Sequence, residues 1–230
     1  MKILGHRGAS AHVVENTMAA FRRARADGAD GVELDVRLCQ SGEVVVFHDE
    51  DLRRLAGRPE RVAALSLRAL REVRLAGEPI PLLAEVLEEL SGLLINVEIK
   101  APRALPPPGL VAATARVIAA RDGVLVSSFN PFALAELRVR APRLPVGLLF
   151  HAEQSRPLRD AWARHVLRPC AVHPEHVLVD LAAARAWRRE GLEINVWTVD
   201  RPEDVRRMAD AGVDAIITND PAATRRMLAR

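Results

Sequence analysis

Apolar residues along this chain gather in short runs separated by longer stretches with helical spacing. The runs around Ile3, Glu33, Val97, Val126, Leu148, Val172, Val196 and Ile216 read as strands. Most lead into a helix. Asn16 or Thr17 caps the first, MAAFRRARADG, and Gly28 closes it. Further helices are predicted over Pro81–Leu90, Leu110–Arg121, Pro131–Val139, Val179–Glu190, Glu203–Ala211 and Pro221–Arg230. One or two more are expected before Pro169. Eight strand–helix units in a chain of 230 residues predict an α/β protein, a (β/α)8 TIM barrel, with residues 1–230 as one domain. An open doubly wound sheet fits less well, because no Gly-rich phosphate loop opens the first helix.

Three stretches break the alternation. Gly31 to Asp49, GVELDVRLCQSGEVVVFHD, reads as an extended run, a turn at Ser41-Gly42 and a returning arm over Val44–Phe47. This is a β-hairpin extension after the second strand. Asp51 to Gly77 is rich in Arg and Leu, with helical spacing mainly from Ser66 to Leu75, and reads as a small helical insertion over about 50–80. Pro102 to Pro108 reads as a stiff proline-rich loop.

Composition narrows the class. Apolar residues make up 49% and charged residues 27%, as in a soluble globular protein. Cys39 and Cys170 fit no metal or redox spacing and are expected as free buried thiols. Lysine occurs only at Lys2 and Lys100, so arginine supplies nearly all of the 33 basic residues. The arginines are interleaved with Glu and Asp, which argues against a nucleic-acid surface. MKILGHRG has no signal-peptide pattern, and no apolar run reaches about 18 residues. A cytoplasmic protein with no stable membrane insertion is the expectation.

The candidate chemistry lies at the predicted strand ends, where barrel enzymes carry their sites. Side chains alternate along a strand, so Glu33 and Asp35 share one face and Val32, Leu34 and Val36 the other. Buried unpaired carboxylates are costly, and a bound cation is the simplest reason for two on one face. Glu98 and Lys100 repeat the spacing on the next barrel strand. Glu98 can complete an oxygen cage for a hard divalent cation, Mg²⁺ or Ca²⁺, with Mn²⁺ a third option. Pairing of these carboxylates with arginines, or of Glu98 with Lys100, is the plainer alternative. Arg7 and Lys100 can grip phosphate oxygens. His6 and His48, facing each other across a bound anion, can serve as general acid and base. Phosphodiester cleavage is the natural reading.

The ordered set His6-Arg7-Gly8, Glu15-Asn16-Thr17, Glu33-Leu34-Asp35, His48-Asp49, Glu98-Ile99-Lys100 and Trp197-Thr198-Val199 resembles the glycerophosphodiester phosphodiesterase family. So does the ending around Gly212-Val213-Asp214 and Thr218-Asn219-Asp220-Pro221, so the resemblance spans nearly the whole chain. It implies a (β/α)8 barrel that hydrolyses glycerophosphodiesters to glycerol 3-phosphate and an alcohol with a divalent metal. It implies Glu33, Asp35 and Glu98 as metal ligands, and His6 and His48 as the catalytic pair. Arg7 and Lys100 would bind phosphate, and Phe129 and Trp197 would wall the glycerol pocket. Glu15 either touches substrate or positions the His6–Gly8 loop. The partner would be a small-molecule glycerophosphodiester.

Two departures stand out: Val14 replaces the usual proline before Glu15, and LRRLAGRPERV replaces the usual Thr-Thr-Asn-Gly pattern after His48-Asp49. That segment borders the alcohol side of the site. A lysophospholipase D-type enzyme and a non-catalytic phosphate-ligand barrel therefore stay open as alternatives. His173 is expected to be structural, and His12, His151, His165 and His176 to be solvated or in loops.

Overall fold

A computed structural model describes residues 1–102, 105–119 and 121–229. Eleven strands are seen: β1 (Lys2–His6), β2 (Gly31–Leu38), β3 (Val44–Val46), β4 (Arg74–Leu75), β5 (Glu78–Pro79), β6 (Leu94–Ile99), β7 (Val124–Ser128), β8 (Val146–Phe150), β9 (Ala171–Pro174), β10 (Glu193–Val196) and β11 (Ala215–Thr218). The main sheet runs β1-β11-β10-β9-β8-β7-β6-β2-β3, and β1 also pairs with β2. All pairings are parallel except β2 with β3. The β1–β2 and β1–β11 seams close eight strands into a barrel, and β3 is the added hairpin arm.

The strands read as near-continuous apolar runs because both faces are covered. Outward residues such as Val32, Leu34, Val97, Val126, Val172 and Ile216 pack under the helices in one large cluster. The inner face is mixed. Leu4, Ala215 and Ile217 form a small apolar group inside the barrel, with Leu94 and Trp197 against it. Around them sit buried polar residues: Glu33, Asp35, Asn96, Glu98, Ser127, His173 and Asn195. The barrel floor is therefore packed, and its polar level sits just below the mouth.

Helix caps follow the sequence. Thr17 accepts from the Ala20 N–H and opens Met18–Ala26; Asp180 opens Leu181–Arg189, and Asp220 opens Pro221–Leu228. Of the one or two helices expected before Pro169, two are seen and both are short, Arg156–Arg159 and Arg164–Leu167.

The insertion differs from its expected form. Ser66 caps a helix that ends at Glu72, and β4 and β5 then form a tight hairpin around Ala76 and Gly77, both at positive φ. The Arg-Leu spacing hid a turn that Ala-Gly can make. Cys39, Phe47, Leu52, Leu70, Leu75 and Ile80 give this part its own buried cluster. Cys39 is buried as expected, but Cys170 is half-buried, at the N-terminal edge of β9. The Pro102–Pro108 loop is described only in part, since residues 103 and 104 lie outside the described residues, as does Arg230 at the expected end of the last helix.

Candidate active site

The ends of the barrel strands surround a cavity of about 380 Å³ lined by His6, Arg7, Glu33, His48, Glu98, Lys100, Phe129 and Trp197. Of the residues expected at the site, Asp35 and Glu15 stand behind this lining. Asp35 is fully buried beneath it.

The first strand delivers its residues through a strained turn. Arg7 and Asn16 both adopt positive φ, 53° and 57°, which non-glycine residues seldom do. Gly8 also turns left-handed, and a Cβ there would sit 2.6 Å from the Ala20 backbone, so only glycine fits. The turn is pinned by the Asn16 N–H donating to the Arg7 carbonyl, and the Arg7 N–H to Glu33 Oε2. Asn16 Nδ2 then donates to Asp35 Oδ2 at 2.8 Å. The turn and the acidic strand are thus one unit.

Glu33, Asp35 and Glu98 bring carboxylate oxygens within 4.8 Å of one another, all buried. Register explains this, since β2 and β6 place Asp35 beside Glu98. Burial and the neighbouring carboxylates push Glu33 well above the usual range. Burial also raises Glu98, with Lys100 partly offsetting it. Burial works against the Asp35 charge too, but Lys100, Arg7 and His48 hold its carboxyl below the usual range. Lys100 Nζ lies 2.7 Å from Glu98 Oε1 and 3.4 Å from Asp35 Oδ1. Arg7 Nε lies 3.1 Å from Asp35 Oδ2, without hydrogen-bond alignment. The expected Glu98–Lys100 pair exists alongside the acidic cluster.

Asp35 Oδ1 is buried and accepts no hydrogen bond. A buried carboxylate oxygen with an ammonium 3.4 Å away but no hydrogen bond, in an all-oxygen cluster with mutual repulsion, is what a hard divalent cation relieves. The residues fit such an ion.

His6 and His48 enter from different supports. His6 Nδ1 lies 2.7 Å from Asn219 Oδ1, and Asn219 Nδ2 donates to Asp200 Oδ2 at 2.6 Å. That chain orients the amide, so His6 donates from Nδ1 and leaves Nε2 bare when neutral. His48 Nδ1 lies 2.6 Å from Asp49 Oδ1, which fixes the same tautomer. Burial pushes both imidazoles below the ordinary histidine value; Arg7 adds to this at His6, and Lys100 and Arg7 at His48.

The far wall is aromatic. Phe129 meets Trp197 edge-on with centroids 5.4 Å apart, and His151 at 5.5 Å. Trp197 Nε1 donates to the His173 carbonyl, which holds the indole upright. His151 was expected to be solvated or in a loop; it lies in the loop after β8, and there it also lines the cavity. It directly follows β8, and its position after a barrel strand is the signal that marks it. Glu175, just past β9, also lines the cavity and accepts from the Ala152 N–H. Asn219 and Asp200 are the supports that strand-by-strand reading missed, though Asn219 lies in the Thr-Asn-Asp-Pro ending. His173 is structural as expected: it is buried inside the barrel, with Asn195 Nδ2 beside its Nε2 at 3.1 Å.

Fold and mouth together define an enzyme of the (β/α)8 class, with its charged residues gathered on the C-terminal side of the strands. Residues 6–223 match the Glycerophosphoryl diester phosphodiesterase family, and the chain belongs to it. It is 36% identical to a glycerophosphodiester phosphodiesterase of Caldanaerobacter subterraneus, over 95% of this chain and 94% of that one. A solved glycerophosphodiester phosphodiesterase of Thermotoga maritima superposes with a TM-score of 0.83 at 32% identity, covering 99% of this chain and 98% of that one. An Oleispira antarctica phosphodiesterase, solved with its product sn-glycerol-3-phosphate, superposes with a TM-score of 0.89 at 25% identity, over 100% and 97% of the chains. Among the described residues, no helix is long and apolar enough to cross a membrane.

Proposed function

We propose that this protein hydrolyses glycerophosphodiesters to glycerol 3-phosphate and an alcohol, with Glu33, Asp35 and Glu98 holding a divalent cation and His6 and His48 moving the protons. The observation that carries the reading is the buried carboxylate cluster, in which Asp35 Oδ1 accepts no hydrogen bond, beside a cavity lined by both imidazoles. The same reading in the relatives' names supports it. When bound, a divalent cation supplies Lewis-acid charge to the phosphate oxygens. The all-oxygen donor set suits Mg²⁺ or Ca²⁺.

The chain's own residues do the rest. Lys100 and Arg7 face the cavity and add positive charge where the phosphate sits. Phe129 and Trp197 give the glycerol carbons an apolar wall. His48 Nε2 takes the proton of the attacking hydroxyl, and the Asp49 carboxylate stabilises the imidazolium that results. His6 acts in its imidazolium form: Nε2 gives its proton to the leaving alkoxide as the P–O bond to it breaks, while Nδ1 stays on Asn219. One water is consumed in all, either as the attacking hydroxyl or in opening the cyclic phosphate that attack by the glycerol 2-hydroxyl forms first, and one alcohol leaves. Glu15 acts from behind by holding Arg7 at 2.8 Å. Residues 1–230 act as one catalytic unit.

The test is release of glycerol 3-phosphate from glycerophosphocholine in EDTA and with Mg²⁺, Ca²⁺ or Mn²⁺, for wild type and Glu98→Gln. Turnover restored by metal in wild type and lost by about 100-fold or more in the variant is the expected result. No product with any metal would overturn it.

One observation favours a second substrate. A cleft of about 430 Å³, lined by Leu38, Ala63, Leu105, Pro107 and Leu110, shares Lys100 with the catalytic cavity. Its apolar lining suits an alkyl chain beyond the phosphate. Faster turnover of lysophosphatidylcholine than of glycerophosphocholine would make the protein a lysophospholipase D; the reverse order would leave the cleft without that role.

A further inference from the structure

Arg54 lies in the insertion and is absent from the cavity lining, with its side chain 46% exposed. Its guanidinium grips two carboxylates at once. NH2 and NH1 donate to Glu15 Oε1 and Oε2 at 2.6 and 2.9 Å, and Nε donates to Asp49 Oδ2 at 2.7 Å. Each carboxylate holds a cavity residue: Glu15 holds Arg7, and Asp49 holds His48. Arg7 in turn lies against Asp35. Asp35, Arg7, Glu15, Arg54, Asp49 and His48 therefore form a continuous chain, and the first five alternate in charge.

We propose that Arg54 is a positioning residue, a cross-brace that sets the His48 ring and the Arg7 guanidinium in one geometry. The inference rests on the acid–base role proposed for His48. An isolated surface ion pair contributes little to stability, whereas a bidentate, networked one such as this also fixes the geometry of the groups it joins. A fork-shaped guanidinium bound to two carboxylates fixes angles as well as distance. Arg37 makes this specific. From β2 it donates to the His48 carbonyl through Nε and NH2, at 2.9 and 2.6 Å, so the His48 backbone stays pinned without Arg54. What Arg54 adds is the setting of Asp49, and through it of the imidazole. A misplacement of about 1 Å at a reacting group can cost about 100-fold in rate.

The test compares Arg54→Met and Arg54→Lys with Arg53→Met, whose arginine is 71% exposed and pairs only loosely with Asp51 at 3.6 Å. Steady-state hydrolysis of glycerophosphocholine and ¹⁵N spectra of the histidine rings are the readouts. The expected result for Arg54→Met is a kcat lower by about 10- to 100-fold, with KM within about threefold. Arg54→Lys recovers part of the loss, because an ammonium reaches one carboxylate but not both. Arg53→Met matches wild type. Asp49→Asn added to Arg54→Met costs less than the product of the two single losses, since the two changes share the His48 ring and differ only in the Glu15–Arg7 arm. A kcat within twofold of wild type for Arg54→Met, or multiplicative losses in the double variant, overturns the brace. The ring spectra decide it without turnover: an unchanged His48 Nδ1 signal in Arg54→Met also overturns it. Absence of turnover in wild type would instead sink the proposed reaction and leave the ring spectra to judge the brace.

Discussion

His6 and His48 face one cavity but belong to different parts of the molecule. His6 is held by the barrel itself. It ends β1, and its partner Asn219 follows β11, the strand that β1 pairs with at the closing seam. His48 is held by the additions: the β2–β3 hairpin carries it, and Asp49, Arg37 and Arg54 fix it. The backing groups differ as well, a neutral amide for His6 and a carboxylate for His48. An amide orients a ring, whereas a carboxylate also stabilises its charged form. The lesson is that a barrel can carry one imidazole of a site on its closing seam and the other on chain added beside a strand.

The strongest way to break this comparison is to remove each ring. His6→Ala and His48→Ala should each lower kcat by about 100- to 10,000-fold, with thermal midpoints near wild type. A His48→Ala enzyme with full activity would end the two-histidine reading.

The backing groups sharpen it. Asp49→Asn should cost on the order of 100-fold in kcat, because the amide can turn its NH2 toward Nδ1 and force the wrong tautomer. Asn219→Ala should cost about tenfold, since orientation is lost but no charge is. Equal losses from the two changes would show that charge on the backing group does not matter.

These roles were unequally legible in the sequence. The strands, the barrel and the residues at strand ends follow from periodicity and from where barrels carry sites. Glu33, Asp35 and Glu98 share the inner face by alternation, which the sequence shows, and the β2–β6 register then sets Asp35 beside Glu98. Asn219 behind His6 was not legible, since 213 positions separate them and only closure of the barrel joins them. Glu15 reads in its motif as either a substrate contact or a support for the His6–Gly8 loop, and its pairing with Arg7 and Arg54 fits the second. The β4–β5 hairpin was masked by a helical spacing that stops at Glu72. Side-chain partners across long loops leave no periodic trace.

The smallest effect concerns a third histidine, which contrasts with the other two. His173 is buried in the barrel with no carboxylate beside it, and burial alone pushes it down to about 3. Unfolded, it would take a proton near pH 6.5. Its folded value lies lower, so stability is full above about pH 6.5 and is lost as pH falls toward 3. The slope from this one ring is up to about 1.4 kcal/mol per pH unit. His173→Leu should flatten the fall of denaturant midpoint between pH 6.5 and 5 relative to wild type. Gly147 bears on the choice of replacement, because a Cβ there would sit 2.4 Å from His173 Nε2. The ring is packed against bare backbone, so only a side chain of similar size fills its place. An unchanged slope in the variant would assign the acid sensitivity elsewhere.

The seam between β1 and β11 also has a consequence in time. On the ribosome, β1 emerges first and must wait for Asn219, 213 positions later, before His6 has its partner. At roughly 5–20 residues per second, that delay is roughly 10 to 40 s. Through that interval one edge of β1 is an unpaired strand, open to pairing with other nascent chains. The orientation of His6 and the pairing of β11 therefore mature together.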